Sequence, residues 1–450
     1  MKIELIRNSA RPLLWMLVSC LMQTTNASEI GSYFPSWSAD NHFHLKQFDQ
    51  SGLTDKFTYL NYAFENIYQM PDGSYRCDNG SDIDDHSAGE GMRATLDYLH
   101  RFKADESVDG SVDQEAQPLA GNFNQIKQLK AKHPQLKVLV SLGGWTWSRW
   151  FSAASATPAL RHTLVASCID LYIVGNLPVV EGHGGKGAAA GVFDGFDIDW
   201  EHPGLQGAAY NTVSKNDKKN YTLLLAEFRK QFDALSKKNG KRYYLSVAIN
   251  TGPKNVQQTE PANYAKSLDW INMMTYDFHG GWDKNGPTDF QSNLYADPNN
   301  PDHAAQSIDD NVRGLLAAGA PPEKLVLGIP FYARGWSGVA PVNNGLYQKA
   351  TGPAQGFDEG ATSYANIATQ LLAGSLTKFY DPISKQLWTY DHGTFWSFDD
   401  TAVIHEKINY LRQYKLGGIM SWSLDQDDAA FTLSKAMIEL EPNSTHHLTP

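Results

Sequence analysis

Residues 193–201 read FDGFDIDWE, and this stretch decides the fold. Its acidic residues Asp197, Asp199 and Glu201 alternate with large apolar residues. Successive side chains of a β-strand point to opposite faces, so the acids share one face and the apolar residues share the other. In a parallel barrel the apolar face packs on the helix layer. The acidic row then faces inward and rises to the mouth at the carboxyl ends of the strands, where active sites lie.

Three carboxyl groups this close cannot all ionise without strong repulsion. We therefore expect at least one to keep its proton near neutral pH, which makes a carboxylic acid available as a general acid. Glu201 ends the row, reaches furthest towards the mouth and is the natural proton donor. Two other interpretations remain open: a polar strand face in contact with solvent, and a divalent-cation site made of carboxylate oxygens.

Short apolar runs with strand character recur along the chain and alternate with helical patterns. They are residues 30–34, 57–64, 138–141, 195–199, 243–249, 270–274, 325–329 and 418–422. Eight such runs predict an α/β fold, a single (β/α)8 TIM barrel. A doubly wound sheet is the second choice, but no G-x-G-x-x-G follows any of these runs.

Three segments are longer than a bare barrel requires. Residues 65–120 are rich in turn-forming residues, and residues 181–191 are rich in glycine and predict a loop. Residues 336–400 contain strand-like and helix-like pieces. They predict a small α+β insertion between strands 7 and 8.

The N-terminus predicts a signal peptide over residues 1–27, and hence a secreted, extracellular protein. Basic residues precede the apolar run 13–22, which is too short to span a bilayer because roughly 20 residues are needed. No later segment is long enough for an integral membrane span. A lipid anchor on Cys20, within a lipobox-like LVSC, is the alternative. The catalytic domain is predicted over 28–440 and a tail over 441–450.

Composition and cysteine content narrow the possible functions. Acidic residues outnumber basic ones by 49 to 38, which argues against a nucleic-acid partner. After export only Cys77 and Cys168 remain, too few for a disulfide scaffold or a cysteine-based zinc site. One structural disulfide and two free thiols both remain open.

The strand motif also carries a resemblance to a known family. Residues 194–201 match D-G-x-D-x-D-W-E, the signature of the family 18 glycoside hydrolases, the chitinases. The other matching motifs occur in the family's order, and they are SLGG at 141–144, MTYD at 274–277, YARGW at 332–336 and Trp422. The resemblance covers about residues 28–440. The chain resembles a bacterial chitinase with an inserted α+β subdomain.

The resemblance implies hydrolysis of β-1,4 linkages between N-acetylglucosamine units of chitin and chito-oligosaccharides. It implies a retaining, substrate-assisted reaction through an oxazolinium intermediate, an exception to the usual pair of carboxylates. Glu201 would donate the proton, Asp199 would orient the acetamide, and Asp197 would share a proton with Asp199. Tyr276 would hydrogen-bond the acetamide oxygen. No cofactor or metal is implied, and we expect a monomer.

Family positions also suggest which residues bind the substrate. They are Tyr33, Trp37, Phe64, Gly143, Gly144, Trp145, Thr146, His202, Met274, Thr275, Asp277, Trp282, Tyr332, Arg334 and Trp422. Trp422 is expected to form the floor of the −1 subsite, with Trp37 and Trp145 on the glycone side and Trp282 on the aglycone side. His202 stands where the family often has Tyr, and this leaves the detail of the subsites open.

Two rival functions fit the same fold. A chitin-binding lectin resembles this barrel but loses the acid at the Glu201 position, which this chain keeps. An endo-β-N-acetylglucosaminidase acting on glycans uses the same acidic motif but generally lacks the large insertion. We therefore expect a chitinase.

Overall fold

The computed structural model describes residues 28–85, 87–302 and 306–440. Residues 1–27, to which the signal-peptide and Cys20 predictions refer, lie outside the described residues, as does the predicted tail, 441–450. No helix within the described ranges is both long and apolar enough to cross a bilayer.

Strands and helices alternate along the described chain. The strands are β1 (Glu29–Pro35), β2 (Tyr59–Glu65), β3 (Ile67–Gln69), β4 (Tyr75–Cys77), β5 (Asp82–Asp85), β6 (Glu90–Arg93), β7 (Lys137–Gly143), β8 (Leu177–Val180), β9 (His183–Gly185), β10 (Gly195–Asp199), β11 (Tyr244–Asn250), β12 (Trp270–Met274), β13 (Leu325–Pro330), β14 (Tyr332–Ser337), β15 (Gly352–Pro353), β16 (Ala361–Ser363), β17 (Lys378–Asp381), β18 (Gln386–Asp391), β19 (Thr394–Phe398) and β20 (Gly418–Trp422). The α-helices are α1 (Leu45–Gln50), α2 (Gly121–Lys132), α3 (Gly144–Trp147), α4 (Phe151–Ala154), α5 (Pro158–Cys168), α6 (Asp217–Asn239), α7 (Pro253–Gln257), α8 (Pro261–Tyr264), α9 (Ile308–Ala317), α10 (Tyr364–Leu372), α11 (Thr401–Tyr414) and α12 (Thr432–Met437).

Eight parallel strands close into a barrel in the order β1, β2, β7, β10, β11, β12, β13 and β20. Each of them matches one predicted apolar run to within two residues at either end. The prediction of an α/β fold with a (β/α)8 TIM barrel is confirmed.

The apolar face of β10 fixes the direction of its acidic row. The Phe196 ring lies 5.3 Å from that of Phe228 on α6, and Trp200 stacks on Phe151 at 5.4 Å. All four rings are buried. Burial of such a side chain contributes roughly 1.5–3 kcal/mol, so packing on the helices turns Asp197 inward.

The insertion between β13 and β20 is a second, antiparallel sheet. Its strand order is β15, β14, β19, β18 and β17, with β16 beside β14. The predicted α+β insertion between strands 7 and 8 is confirmed, and Trp336, Trp388 and Phe395 belong to its own core. Its sheet begins at Tyr332, four residues before the predicted boundary at 336, because one residue separates β14 from β13.

The turn-rich segment 65–120 contains the small hairpins β3–β4 and β5–β6. Cys77, at the end of β4, forms a disulfide with Cys168, the last residue of α5. The structure thus decides between the two alternatives that the sequence left open. The predicted loop at 181–191 includes β9, which pairs with β8.

A pair of carboxyl groups is buried at the end of β2. Glu65 and Asp97 are 2% and 1% exposed. Tyr172 donates to Glu65 Oε2 (2.7 Å), and Asn79 donates to Asp97 Oδ2 (2.9 Å). Burial raises the pKa of Asp97 to about 7. Burial, followed by the charge of Asp97, raises the pKa of Glu65 well above its ordinary value.

This pair should make the protein less stable as pH rises. The folded state keeps a proton that the unfolded chain loses above about pH 4, so the free energy of unfolding should fall between about pH 4 and pH 7. Glu65→Gln keeps the size and the acceptor for Tyr172 but cannot ionise. Urea unfolding should show wild type and variant equally stable near pH 4, and the variant more stable at pH 8, by on the order of 2 kcal/mol. Equal pH slopes for the two proteins would contradict this assignment.

Candidate active site

The acidic row ends at the mouth of the barrel. Asp197 lies in the middle of β10, Asp199 is its last residue, and Glu201 follows two residues later. Asp197 is 0% exposed and Asp199 is 3% exposed, while the Glu201 side chain is 14% exposed. The row therefore leads from the barrel interior to a group that solvent and ligands can reach.

Asp197 is surrounded by hydrogen-bond donors from four other barrel strands. Its Oδ2 accepts from Tyr33 Oη (2.8 Å) and Ser141 Oγ (2.9 Å). Its Oδ1 accepts from Ser246 Oγ (2.6 Å) and Asn272 Nδ2 (3.1 Å). Burial raises the pKa of Asp197, and these four bonds oppose the rise because they stabilise the carboxylate.

Asp199 has a different environment. Its Oδ1 is buried and has no hydrogen-bond partner among the described residues. Burial, then the charges of Glu201 and Asp197, raise its pKa well above the ordinary value. A carboxyl group with an unused oxygen is a hydrogen-bonding group available to a ligand or to its neighbours in the row.

Glu201 is fixed through its backbone. Its N–H donates to Ser148 Oγ (2.8 Å), and its carbonyl accepts from Asn211 Nδ2 (2.9 Å). Burial and the charge of Asp277 raise the pKa of Glu201 to about 8. The side chain is therefore protonated at pH 7, as a general acid must be.

His202 faces Glu201, with Nε2 at 3.7 Å from Oε2. Burial lowers the pKa of His202 to about 4, so the imidazole is neutral near pH 7. The neutral ring leaves the Glu201 proton in place, because a cationic neighbour would favour the carboxylate. The ring of Trp145 lies 6.4 Å from that of His202.

A second cluster of polar side chains lies just after β12. Tyr332 Oη donates to Asp277 Oδ1 (2.8 Å). Arg334 donates to both oxygens of Asp277, from Nε (2.7 Å) and Nη2 (2.9 Å). Tyr276 lies with its ring centre 6.1 Å from that of Tyr332. This bidentate ion pair brings the insertion strand β14 against the residues that follow β12.

Aromatic rings line the mouth between β20, β1 and β2. Trp422 stacks on Phe64, with ring centres 5.3 Å apart, and lies 5.3 Å from the ring of Tyr33. Trp37 lies 6.4 Å from Phe64. A Cβ on Gly144 would come 2.7 Å from the Phe64 ring, so this position needs glycine. These rings offer an apolar platform next to the acidic row.

Two tryptophans are exposed at the rim of the mouth. Trp145 is 56% and Trp282 is 52% exposed. The guanidinium of Arg334 lies 5.2 Å above the Trp282 ring. Thr146, in α3, and Met274, at the end of β12, are half-buried. Exposed aromatic faces beside a buried acid suit a ligand with apolar ring faces.

Two of the predicted binding residues support the site from behind. Thr275 is fully buried, and its hydroxyl donates to the Gly328 carbonyl (2.8 Å). The Thr275 hydroxyl thus bonds to β13, and the predicted contact of Thr275 with substrate stays a prediction. A Cβ on Gly143 would lie 2.2 Å from the carbonyl oxygen of Asp199, so this glycine permits the close approach of β7 to β10.

Three donors to Asp197 were not among the predicted site residues: Ser141, which belongs to the SLGG motif, Ser246 and Asn272. The signal available for the last two was weak, because each is a single polar residue inside an apolar strand. Among the described residues, no group of three or more His, Cys, Asp or Glu side chains could hold a metal ion.

Comparisons with known proteins agree on one family. The profile described as Glycosyl hydrolases family 18 matches residues 29–427. Chitinase A1 of Niallia circulans is 32% identical over 444 residues, which cover 94% of this chain and 60% of that protein. Chitinase C of Streptomyces lividans is 34% identical, covering 90% of this chain and 58% of that protein. The chain thus spans about three fifths of the length of these curated relatives.

Solved structures give the same result. The catalytic domain of psychrophilic chitinase B from Arthrobacter TAD20 superposes with a TM-score of 0.84 at 41% sequence identity, covering 92% of this chain and 95% of that one. A chitinase from Bacillus thuringiensis superposes with a TM-score of 0.75 at 28% identity, covering 93% of this chain and 71% of that one.

The protonation of Glu201 can be measured directly. A ¹³C NMR titration of labelled carboxyl groups should show Glu201 with a midpoint near pH 8, identified by the loss of its signal in Glu201→Gln. Asp277→Asn should lower that midpoint, because the Asp277 charge raises the pKa of Glu201. A midpoint near the ordinary glutamate value of about 4.3 would contradict the assignment of a protonated acid.

Proposed function

Because the chain belongs to family 18 of the glycosyl hydrolases, we propose that it is a chitinase that hydrolyses β-1,4 linkages between N-acetylglucosamine units. Chitin and chito-oligosaccharides are its substrates. The observation that carries this proposal is the position of Glu201 at the end of a buried acidic row, beside an aromatic platform, where burial raises its pKa to about 8.

In the first step the Glu201 carboxyl gives its proton to the glycosidic oxygen as the bond from that oxygen to C1 breaks. The carbonyl oxygen of the substrate's own 2-acetamido group attacks C1, and a cyclic oxazolinium ion forms. Asp197, Asp199 and Glu201 lie in one row on and just after β10 and do not flank the bond, and the acetamide takes the place of an opposing protein carboxylate as nucleophile. The arrangement supports substrate assistance.

In the second step the Glu201 carboxylate takes a proton from water, and the water oxygen attacks C1. The acetamide oxygen leaves C1, the ring opens, and the product keeps the configuration of the substrate. Glu201 is protonated again. The two displacements at C1 explain retention, because each one inverts the centre.

Asp199 and Tyr276 hold the acetamide in this account. The unpartnered Oδ1 of Asp199 accepts the acetamide N–H, and the Tyr276 hydroxyl donates to the acetamide oxygen. Four donors hold Asp197 and stabilise negative charge in the acidic row. Asp199 shares its proton first with Asp197 and later with Glu201. Orientation of a nucleophile within one substrate can supply several kcal/mol.

The aromatic residues bind successive sugar rings. Trp422 lies under the −1 sugar, and the exposed rings of Trp145 and Trp282 extend the groove towards the glycone and aglycone sides. Arg334 and Asp277 supply polar contacts near the centre. The insertion sheet forms one wall, which suits an extended chain.

The protein is also proposed to be exported from the cell. The predicted signal peptide over 1–27 and the Cys77–Cys168 disulfide both support an oxidising, extracellular location. Intact-mass analysis of the exported protein distinguishes a free N-terminus at Ser28 from an acylated Cys20.

Glu201→Gln tests the acid. The amide keeps the shape of the side chain but cannot donate a carboxylic proton, so hydrolysis of chito-oligosaccharides should fall by about 10²–10⁴-fold. Calorimetry should show that oligosaccharide binding is retained. Glu227→Gln, on α6 and hydrogen-bonded to His162, is the matched control and should keep full activity. Turnover close to wild type in Glu201→Gln would place the acid elsewhere.

A further inference from the structure

The backbone turn that carries Tyr276 and Asp277 is held from both sides by one short segment. Ser292 Oγ donates to the Thr275 carbonyl (2.7 Å), just before Tyr276. The Phe278 N–H donates to the carbonyl of residue 291 (3.0 Å), just after Asp277. Asp277 has a φ of +58°, a left-handed conformation that non-glycine residues adopt when their surroundings impose it.

Ser292 is itself held by a buried ion pair. Lys407, on α11, donates from Nζ to Ser292 Oγ (2.6 Å) and to Asp399 Oδ2 (2.5 Å). The side chains of Lys407 and Asp399 are both 0% exposed. Asp399 Oδ1 also accepts from Gln386 on β18 (2.9 Å), so the pair is tied to the insertion sheet.

The ammonium group decides the direction of the serine hydroxyl. A lysine ammonium can only donate, so Ser292 Oγ accepts from Lys407 and must direct its own proton elsewhere. The acceptor within reach is the Thr275 carbonyl. Charge-assisted hydrogen bonds are stronger than neutral ones, so the ion pair locks this orientation.

Gln291 ties the same segment to the insertion sheet a second time. Its N–H donates to Ser397 Oγ (3.1 Å), and its Nε2 donates to the Tyr332 carbonyl (2.8 Å). Tyr332 in turn donates its hydroxyl to Asp277. The turn after β12 is therefore fastened to the insertion by its backbone and by a side chain.

We propose that Ser292, Lys407 and Asp399 are positioning residues that fix Tyr276 for the reaction. They act through the Thr275 carbonyl and do not touch substrate, since all three are buried. The insertion then has a second task besides forming a wall of the groove, because it supplies Asp399 and the attachment of Lys407. This proposal rests on the role of Tyr276 proposed above.

Ser292→Ala tests the proposal with the loss of one hydroxyl. Misplacement of a group that orients the nucleophile lowers kcat, so kcat on chito-oligosaccharides should fall about 10-fold or more while KM changes less than twofold. Ser384→Ala is the matched control. Ser384 is a fully buried serine of the insertion whose hydroxyl donates to Asp381, and its loss should leave kcat unchanged at a similar melting temperature.

A double-mutant cycle separates positioning from general support of the fold. Tyr276→Phe should lower kcat, and adding Ser292→Ala to it should lower kcat little further, because the group being positioned is already gone. A full additional loss, or an unchanged kcat in Ser292→Ala, would overturn the proposal. An unchanged kcat in Tyr276→Phe would instead show that the proposed role of Tyr276 is wrong.

A second variant keeps the test decisive if Ser292→Ala folds poorly. Lys407→Met combined with Asp399→Asn removes both charges, so no uncompensated ion is left buried. Ser292 keeps its hydroxyl but loses the donor that directs it. The same selective fall in kcat is expected, and it should vanish in the Tyr276→Phe background. A fall that persists there would overturn positioning.

Discussion

Three carboxyl groups share one face of β10 and the residues just after it, and the surrounding side chains determine which of the three carries a charge. Four donors from other strands stabilise Asp197 as a carboxylate. Asp199 Oδ1 has no hydrogen-bond donor within the part of the chain that the structure describes, and burial together with neighbouring negative charge raises the pKa values of Asp199 and Glu201. The same row therefore holds an acid whose carboxylate form is stabilised inside the barrel and, at the mouth, an acid whose pKa is raised to about 8. The apolar face of β10, packed on the helices, maintains this arrangement.

The barrel and the insertion each contribute different residues to the site. The barrel strands carry the acidic row and the donors around Asp197. The insertion strand β14 carries Tyr332 and Arg334, which bind Asp277. The buried pair Lys407–Asp399 holds the turn after β12 from the other side. Asp277 thus lies where the barrel and the insertion meet, so both parts must fold before this cluster is complete.

The barrel strands and the acidic row could be predicted from the sequence because each produces a pattern within a few consecutive residues. Each barrel strand is a short apolar run, and the acidic motif of β10 identifies its own face by alternation. The donors Ser246 and Asn272 gave no such signal, since a single polar residue in an apolar strand fits many roles. The bond from the Thr275 hydroxyl to the Gly328 carbonyl on β13 could not be predicted either, because the motif does not show which way each of its side chains points. Lys407 meets Ser292 across 115 residues, and no local pattern reports such a contact.

In the proposed mechanism the substrate, not the protein, supplies the nucleophile. The most direct measurement is the cleavage pattern on chito-oligosaccharides in which one N-acetyl group has been removed at a defined position, read by mass spectrometry of the products. A sugar with a free amine has no acetamide oxygen to attack C1. The account predicts that bonds with such a sugar at −1 remain intact while fully acetylated bonds are cut. Efficient cleavage next to the deacetylated sugar, or a glycosyl ester trapped on Asp199, would contradict it.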